Sequence, residues 1–280
     1  AFLSVQLHWL SLRKPDYDTV SEQHPDWTYE FQKRRGSSGV LHVNKKIAPF
    51  ADDIDLRKAI FYAYDPYELI EVANNGLGYF FGGNYMPVEW AEELEPQMRQ
   101  YVGDLDKARE HLAKSGVSTP LNLELWVANY GAAYVSGAEV IQDQLAKIGI
   151  NTTLAIHESA AYQASHNRGE WDFQIAYGPN GNASINTWLG LHARSTGLRA
   201  KATGIDDPEL DRMIDEQWVM TDPAKRKALN FEIAHYMASN AIWDPATTGI
   251  TITGIRPEIH DLFITQVGYE TRYLVDAWLE

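Results

Sequence analysis

Apolar residues recur at helical spacing in several stretches of the chain. Over residues 53–64 they fall at Ile54, Ala59, Ile60 and Ala63, one face of a helix, with Asp53 or Asp55 placed to cap its N-terminus. Asp65-Pro66 restarts a helix, because proline suits the first helical position, and Leu69, Ile70 and Ala73 extend its face. Residues 104–114 predict another: Asp104 caps it, Leu105, Ala108 and Leu112 form the stripe, and Gly116 stops it. Residues 137–148 are amphipathic through Val140, Ile141, Leu145 and Ile148, and 159–167 read as a shorter helix. Asp207-Pro208 opens a helix with Leu210, Met213, Ile214 and Trp218 on one side, and Asp222-Pro223 opens another with Leu229, Ile233, Tyr236 and Met237.

Period-two alternation at Leu121, Leu123, Leu125 and Val127 predicts a strand, and residues 40–43, 150–156 and 171–177 read as further strands. Residues 2–12 read as a strand or loop, 15–27 as polar and turn-rich, and 29–39 as a basic solvated run (Lys33, Arg34, Arg35). Residues 76–87 read as a loop. Gly178-Pro179-Asn180-Gly181-Asn182 is a turn-forming run that opens another. Residues 250–252 and 262–267 are short β-like runs. The order strand–helix–strand–helix–strand between 121 and 177 predicts an α/β architecture with parallel pairing.

With 280 residues, the length fits about two domains or one large one. The net charge of −14 opposes binding to phosphate backbones, so a general nucleic-acid role is excluded. Cysteine is absent, which removes disulfides, thiolate catalysis and cysteine-ligated metals. No window approaches the roughly 20 apolar residues that span a bilayer. The first residues lack the basic-then-apolar order of a signal peptide.

Motifs for chemistry are missing. There is no phosphate-binding G-x-x-x-x-G-K-[ST], no dinucleotide fingerprint, no G-x-S-x-G elbow and no H-E-x-x-H. The paired carboxylates Asp52/Asp53, Asp206/Asp207 and Glu92/Glu93 fall at helix starts or on polar runs, where capping explains them better than acid–base work. What stands out is an enrichment of rings and carboxamides after two strands. Trp126, Asn129, Tyr130 and Tyr134 follow the first. Tyr177, Asn180, Asn182, Asn186 and Trp188 follow the second. Ligands of open α/β sheets collect outside the carboxyl ends of strands. Trp126, Asn129, Tyr130, Tyr134, Tyr177, Asn180, Asn182 and Trp188 are therefore the candidate ligand contacts, with no catalytic residue, metal ligand or cofactor expected.

Five blocks then carry a family resemblance. Asn44-x-x-x-x-Pro49-Phe50-x-Asp52-Asp53-x-x-x-Arg57-Lys58-Ala59-x-x-x-Ala63-x-Asp65 resembles the hallmark of family 5 extracellular solute-binding proteins, with one extra residue between Pro-Phe and Arg. Asp104-x-Asp106-Lys107-Ala108-x-x-x-Leu112-Ala113-x-x-Gly116, Gln142-x-Gln144-Leu145-x-x-Ile148-Gly149-Ile150, Asp207-Pro208-Glu209-Leu210-Asp211 and Val275-x-Ala277-Trp278 are similar to further family blocks, in the same order. The resemblance implies the class II periplasmic-binding-protein-like fold, a two-lobed α/β clamp that closes on a solute and presents it to the membrane permease of an ABC importer. It implies a periplasmic or extracytoplasmic location. It places residues 44–245 in one continuous lobe, with 1–43 a remnant of the other lobe and 246–280 strands returning to it. Family chains are longer on the N-terminal side, so a missing N-terminal portion is a further expected partner.

Family members that hold short peptides use an Asp after the strand that here ends at Tyr177, and dipeptide binders an Arg in the loop after Trp126. Neither loop carries one: they read Gly178-Pro179-Asn180-Gly181-Asn182-Ala183-Ser184 and Ala128-Asn129-Tyr130-Gly131-Ala132-Ala133-Tyr134. A buried ligand charge without a partner is costly, so the expectation leans to a neutral oligosaccharide over an oligopeptide. The alternative is a carbohydrate hydrolase with an aromatic cleft. It would need two carboxylates flanking that cleft, for which Glu170 and Asp172 are the nearest in sequence.

Overall fold

The computed structural model describes residues 8–33, 39–83, 85–169, 171, 173–179, 184–242, 244–262 and 277–279. In chain order the elements are β1 (Trp9–Leu12), α1 (Lys14–Gln23), β2 (Thr28–Lys33), β3 (Gly39–Val43), α2 (Ile54–Ala63), α3 (Pro66–Ala73), β4 (Gly78–Phe80) and α4 (Val88–Met98). They continue with α5 (Leu105–Ser115), β5 (Leu121–Asn129), α6 (Ala132–Ala146), β6 (Ile150–Glu158), α7 (Ser159–Arg168), β7 (Ile175–Gly178) and α8 (Ile185–His192). The last are α9 (Leu198–Thr203), α10 (Pro208–Val219), α11 (Pro223–Ser239), β8 (Ala246–Ile255), β9 (Ile259–His260) and β10 (Trp278–Leu279).

The strands run in the order β1-β8-β3-β7-β5-β6, with β2 and β4 also paired to β8. β5 is parallel to β6 and to β7, and the α/β architecture with parallel pairing expected from the sequence is present. β3 is antiparallel to β7. Gly39–Val43 is thus an interior strand of the sheet. β8 serves two ladders. Its start pairs with β3 and β4, and Ile250–Ile255 pairs with β2 on one side while β1 takes the other.

Side chains alternate across a strand, so the sheet has two packed faces. Leu123, Leu125 and Val127 of β5, with Leu41, Val43 and Ile175, enter the main core under α2 and α6. Ala128 and Ala176 enter a second cluster with Tyr162, Trp171, Phe173 and Ala202. The helix starts follow the capping reading: Asp53, Asp65, Asp104, Asp207 and Asp222 each accept backbone N–H bonds at the N-terminus they precede.

The family blocks are joints. Arg57 donates to the carbonyl of Phe50 at 2.6 Å, clamping the Pro49-Phe50 turn beneath α2. Asn44, fully buried, donates to the carbonyl of Trp171 at 2.9 Å and accepts from the Lys46 amide at 3.0 Å. Gln144 on α6 accepts from the Asp65 amide at 3.1 Å and donates to the Asp65 carbonyl at 3.0 Å, pinning α3 to α6.

Several local expectations are corrected. Residues 14–23, read as turns, form α1, because Tyr17 and Val20 share a face that lands on β2, with Tyr17 edge-on to Tyr29 and Phe31. β4 lies inside the expected 76–87 loop, held by pairing to Thr247–Gly249. α4, α8 and α9 are additions; α4 buries Val88, Ala91, Leu94 and Met98 at ordinary helical spacing. β7 starts only at Ile175, and upstream of it the Trp171 carbonyl accepts from the Asn44 side chain instead of a strand neighbour's backbone. The run at 262–267 lies mostly outside the described residues.

A histidine-rich cluster is buried on the second face. Asp244 lies 3.0 Å from both His42 Nδ1 and Lys45 Nζ. His166 stacks on Trp171 with centroids 4.6 Å apart, and His192 Nε2 faces Arg199 at 2.6 Å. Burial, then the Arg199 charge, pushes His166 down to about 2 and His192 well below its ordinary value. Burial alone would raise the Asp244 carboxyl, but Lys45 and His42 outweigh it and hold it low.

Two outcomes follow from these contacts. Gln144→Ala strands the Asp65 amide and carbonyl, so urea denaturation should show a loss of about 2–3 kcal/mol; a loss under about 0.5 kcal/mol would contradict the joint. On unfolding, His166 and His192 regain a value near 6.5, so below that pH the unfolded chain binds protons that the folded chain does not. Their contribution is complete above about pH 6.5 and falls by roughly 1 kcal/mol per pH unit per histidine on acidification, with Asp244 adding to the loss below the carboxylate range. Urea titrations at pH 7.5, 6 and 5 should show this slope, and the double variant H166Q/H192Q should flatten it.

Candidate functional site

Strand register places the carboxyl ends of β5, β6 and β7 together. Asn129 is level with Glu158, and Val127 with Tyr177. Because β3 is antiparallel, its first residue, Gly39, arrives at the same end beside Thr247 of β8. From Thr247, β8 runs on past this edge to meet β1 and β2. The edge on which α/β sheets gather ligands is therefore the edge from which β8 leaves.

Three of the candidate contacts stand there together. Asn129 is exposed at the end of β5. Tyr130 is 42% exposed, and its hydroxyl bonds the Ser159 carbonyl at 3.3 Å and Gln163 Oε1 at 2.9 Å, laying the ring toward the start of α7. Tyr134, in the first turn of α6, is half-buried with its ring 5.7 Å from that of Tyr130.

Three others do not join them. Tyr177 is only 3% exposed, since it shares the inner face of β7 with Ile175 and α6 covers it; its ring is 6.0 Å from Tyr134. Burial pushes its phenol up to about 12, eased by hydrogen bonding from the Thr247 hydroxyl. Trp188 is 6% exposed on the inner face of α8, stacked between Tyr85 at 4.9 Å and His192 at 4.8 Å. Trp126 lies on the opposite face of the sheet. It packs against His157 at 4.2 Å, donates to the Glu124 carboxylate at 2.6 Å and borders a recess with Lys46, Ser165, Arg168 and Trp171. A single recess ringed by all the candidates therefore does not form: alternation of side chains sends Trp126 one way and Tyr177 the other. Asn186 is likewise structural, its Oδ1 accepting from Arg226 at 2.7 Å and Gln217 at 3.1 Å. Asn180, Asn182, Glu170 and Asp172 lie outside the described residues.

The edge also carries groups that the sequence reading passed over. Glu158 ends β6 level with Asn129 and is exposed, so an acidic side chain borders the amides and rings after all. The reading ended this strand at Ile156, two residues short, which hid Glu158 from the edge. Gln163, on α7, enters only through its contact with Tyr130. Among the described residues no group of three or more His, Cys, Asp or Glu is placed to hold a metal ion, and no helix is long and apolar enough to cross a membrane.

Residues 1–197 match the sequence profile of the middle region of bacterial extracellular solute-binding proteins, family 5. Di/tripeptide-binding protein 1 of Pseudomonas aeruginosa is 25% identical over 244 residues, covering 85% of this chain and 45% of that protein. Heme-binding protein A of Haemophilus influenzae is 23% identical over 269 residues, covering 94% of this chain and 49% of that protein. The chain thus spans about half the length of the curated relatives it matches. Among solved structures, AgaA of A. tumefaciens R10 in complex with agropinic acid superposes with TM-score 0.80 at 19% identity, covering 100% of this chain and 57% of that one. The oligopeptide-binding protein AppA of Bacillus subtilis in complex with a nonapeptide gives 0.80 at 17%, covering 100% and 57%. The fold is that of the periplasmic binding proteins, and, on the match over most of its length, the chain belongs to family 5 of the bacterial extracellular solute-binding proteins.

Proposed function

We propose that this chain supplies one wall of the solute-binding component of an ABC importer, acting outside the cytoplasmic membrane and handing its solute to a membrane permease without chemistry. The observation that carries the reading is the convergence of the carboxyl ends of β5, β6 and β7 on the edge from which β8 crosses to the β1 and β2 ladder. A solute lodged there would touch this body and whatever is built on that second ladder, so closing one onto the other would enclose it. In this reading the sheet containing β5 to β7 is one lobe and the β1, β8 and β2 ladder belongs to the other.

The solute class we favour is a short peptide. The lean toward a neutral oligosaccharide rests on the lack of an Asp in one loop and of an Arg in the other, and Glu158 offers a carboxylate at the edge in place of the Asp. Relatives named for di- and tripeptides point the same way. Asn129 offers a carboxamide to a peptide backbone, Tyr130 a ring face to a side chain, and Glu158 a rim charge to the ammonium.

Nuclear magnetic resonance titration of the chain with trialanine should move the amides of Asn129, Tyr130 and Tyr134, while maltotriose should leave them in place. The reverse pattern would return the sugar reading, and shifts confined to the Trp126 face would overturn the edge assignment. Tyr130→Ala should weaken trialanine about tenfold with little change in melting temperature, read by calorimetry. Glu158→Gln should weaken trialanine about fivefold, the scale of an exposed ion pair, yet leave N-acetyl-trialanine unchanged. Equal losses for both peptides would remove Glu158 from ammonium recognition.

A further inference from the structure

Tyr177 lies directly beneath the edge, and what surrounds it is specific. Two glycines make its place. A Cβ on Gly39 of β3 would collide with the Tyr177 hydroxyl, and a Cβ on Gly137 of α6 would lie 2.8 Å from its ring. One helical turn before Gly137, Tyr134 lays its ring 6.0 Å from that of Tyr177, and Tyr130 lies 5.7 Å beyond Tyr134. On the other side, Gly39 is level with Thr247 of β8, and the Thr247 hydroxyl approaches the Gly39 carbonyl at 3.5 Å. Thr247 is itself buried. Rings and backbone thus run without a gap from an exposed tyrosine at the solute edge to the strand that leaves the sheet.

The geometry points to Tyr177 as a positioning residue: gripped between Gly39 and Gly137, it ties the Tyr130–Tyr134 edge to Thr247 of β8, so that a solute resting on the edge alters how firmly β8 is held where it passes to the second ladder. The coupling rests on the reading of the edge as a solute site, but the tie itself does not. Interiors are close-packed, so a ring held on both sides transmits a displacement instead of absorbing it. A hydroxyl packed at Gly39 leaves β3 little room to shift unless the ring shifts too, and Thr247 of β8 is paired to that glycine.

The test is hydrogen–deuterium exchange on the whole chain, read at residues 246–249, for Tyr177→Phe, Thr247→Val and Tyr134→Ala. Tyr236→Phe serves as a remote control, since it deletes a hydroxyl that bonds Asp207 at 3.1 Å on the α10–α11 side. Each of the three variants should speed exchange at 246–249 by about fivefold, and the control should not. Trialanine should slow exchange at 246–249 in the parent chain and lose that effect in Tyr177→Phe. If Tyr134→Ala leaves 246–249 at the parent rate, or if Tyr236→Phe speeds them equally at matched melting temperature, the positioning role is overturned. If the variants speed exchange but trialanine does nothing to the parent chain, the positioning role stands and the solute assignment falls.

Discussion

One strand shared between two ladders sets the geometry on which everything else depends. The hydrogen bonds of β8 hold it to β3 and β4 at its start and to β1 and β2 further on. Backbone hydrogen bonds inside a sheet cannot be left unmade without large cost, so this strand fixes where the sheet of β3, β7, β5 and β6 ends and which of its edges looks toward the second ladder. Parallel pairing then brings the ends of β5, β6 and β7 to that edge, and Asn129, Tyr130 and Glu158 follow from register alone.

The rest of the molecule holds that edge still. Arg57 fastens the Pro49-Phe50 turn, Gln144 fastens α3 to α6, and Asn186 is locked by Arg226 and Gln217 so that α8 keeps its place after β7. The reverse face is closed by a packed group of rings around His42, His166 and His192, kept uncharged at His166 and His192 by burial. The proposed solute role calls for such a support, because side chains placed loosely lose much of their affinity to ordering. Tyr177 belongs to both parts, a core residue whose ring lies by Tyr134 at the edge and whose hydroxyl lies by Gly39 of β3, the neighbour of the shared strand.

Much of the fold was legible because its signals are local. Asp caps, Pro at first helical positions and the alternation of Leu121, Leu123, Leu125 and Val127 each act over a few residues, and the helices and strands they mark are present. α1 was not legible, since its two useful apolar residues matter only once β2 is there to receive them. The site was less legible than the fold for the same reason. Proximity in sequence to a strand end does not say which face a ring takes, and Trp126 and Tyr177, one step out of phase, part company across the sheet. Glu158 depended on where a strand ends, the least certain feature of any periodic pattern. The family blocks were readable as a resemblance, but their physical roles as joints appear only when Asn44 meets Trp171 and Gln144 meets Asp65 in space.

The central claim is that solute rests on the carboxyl edge of β5 to β7, and the most direct measurement is a crystal structure of the protein with its solute bound. The account predicts solute density against Asn129 and Tyr130, with Glu158 at its rim and Tyr177 covered beneath. Density seated instead beside Trp126, Lys46 and Arg168 on the opposite face of the sheet would contradict it.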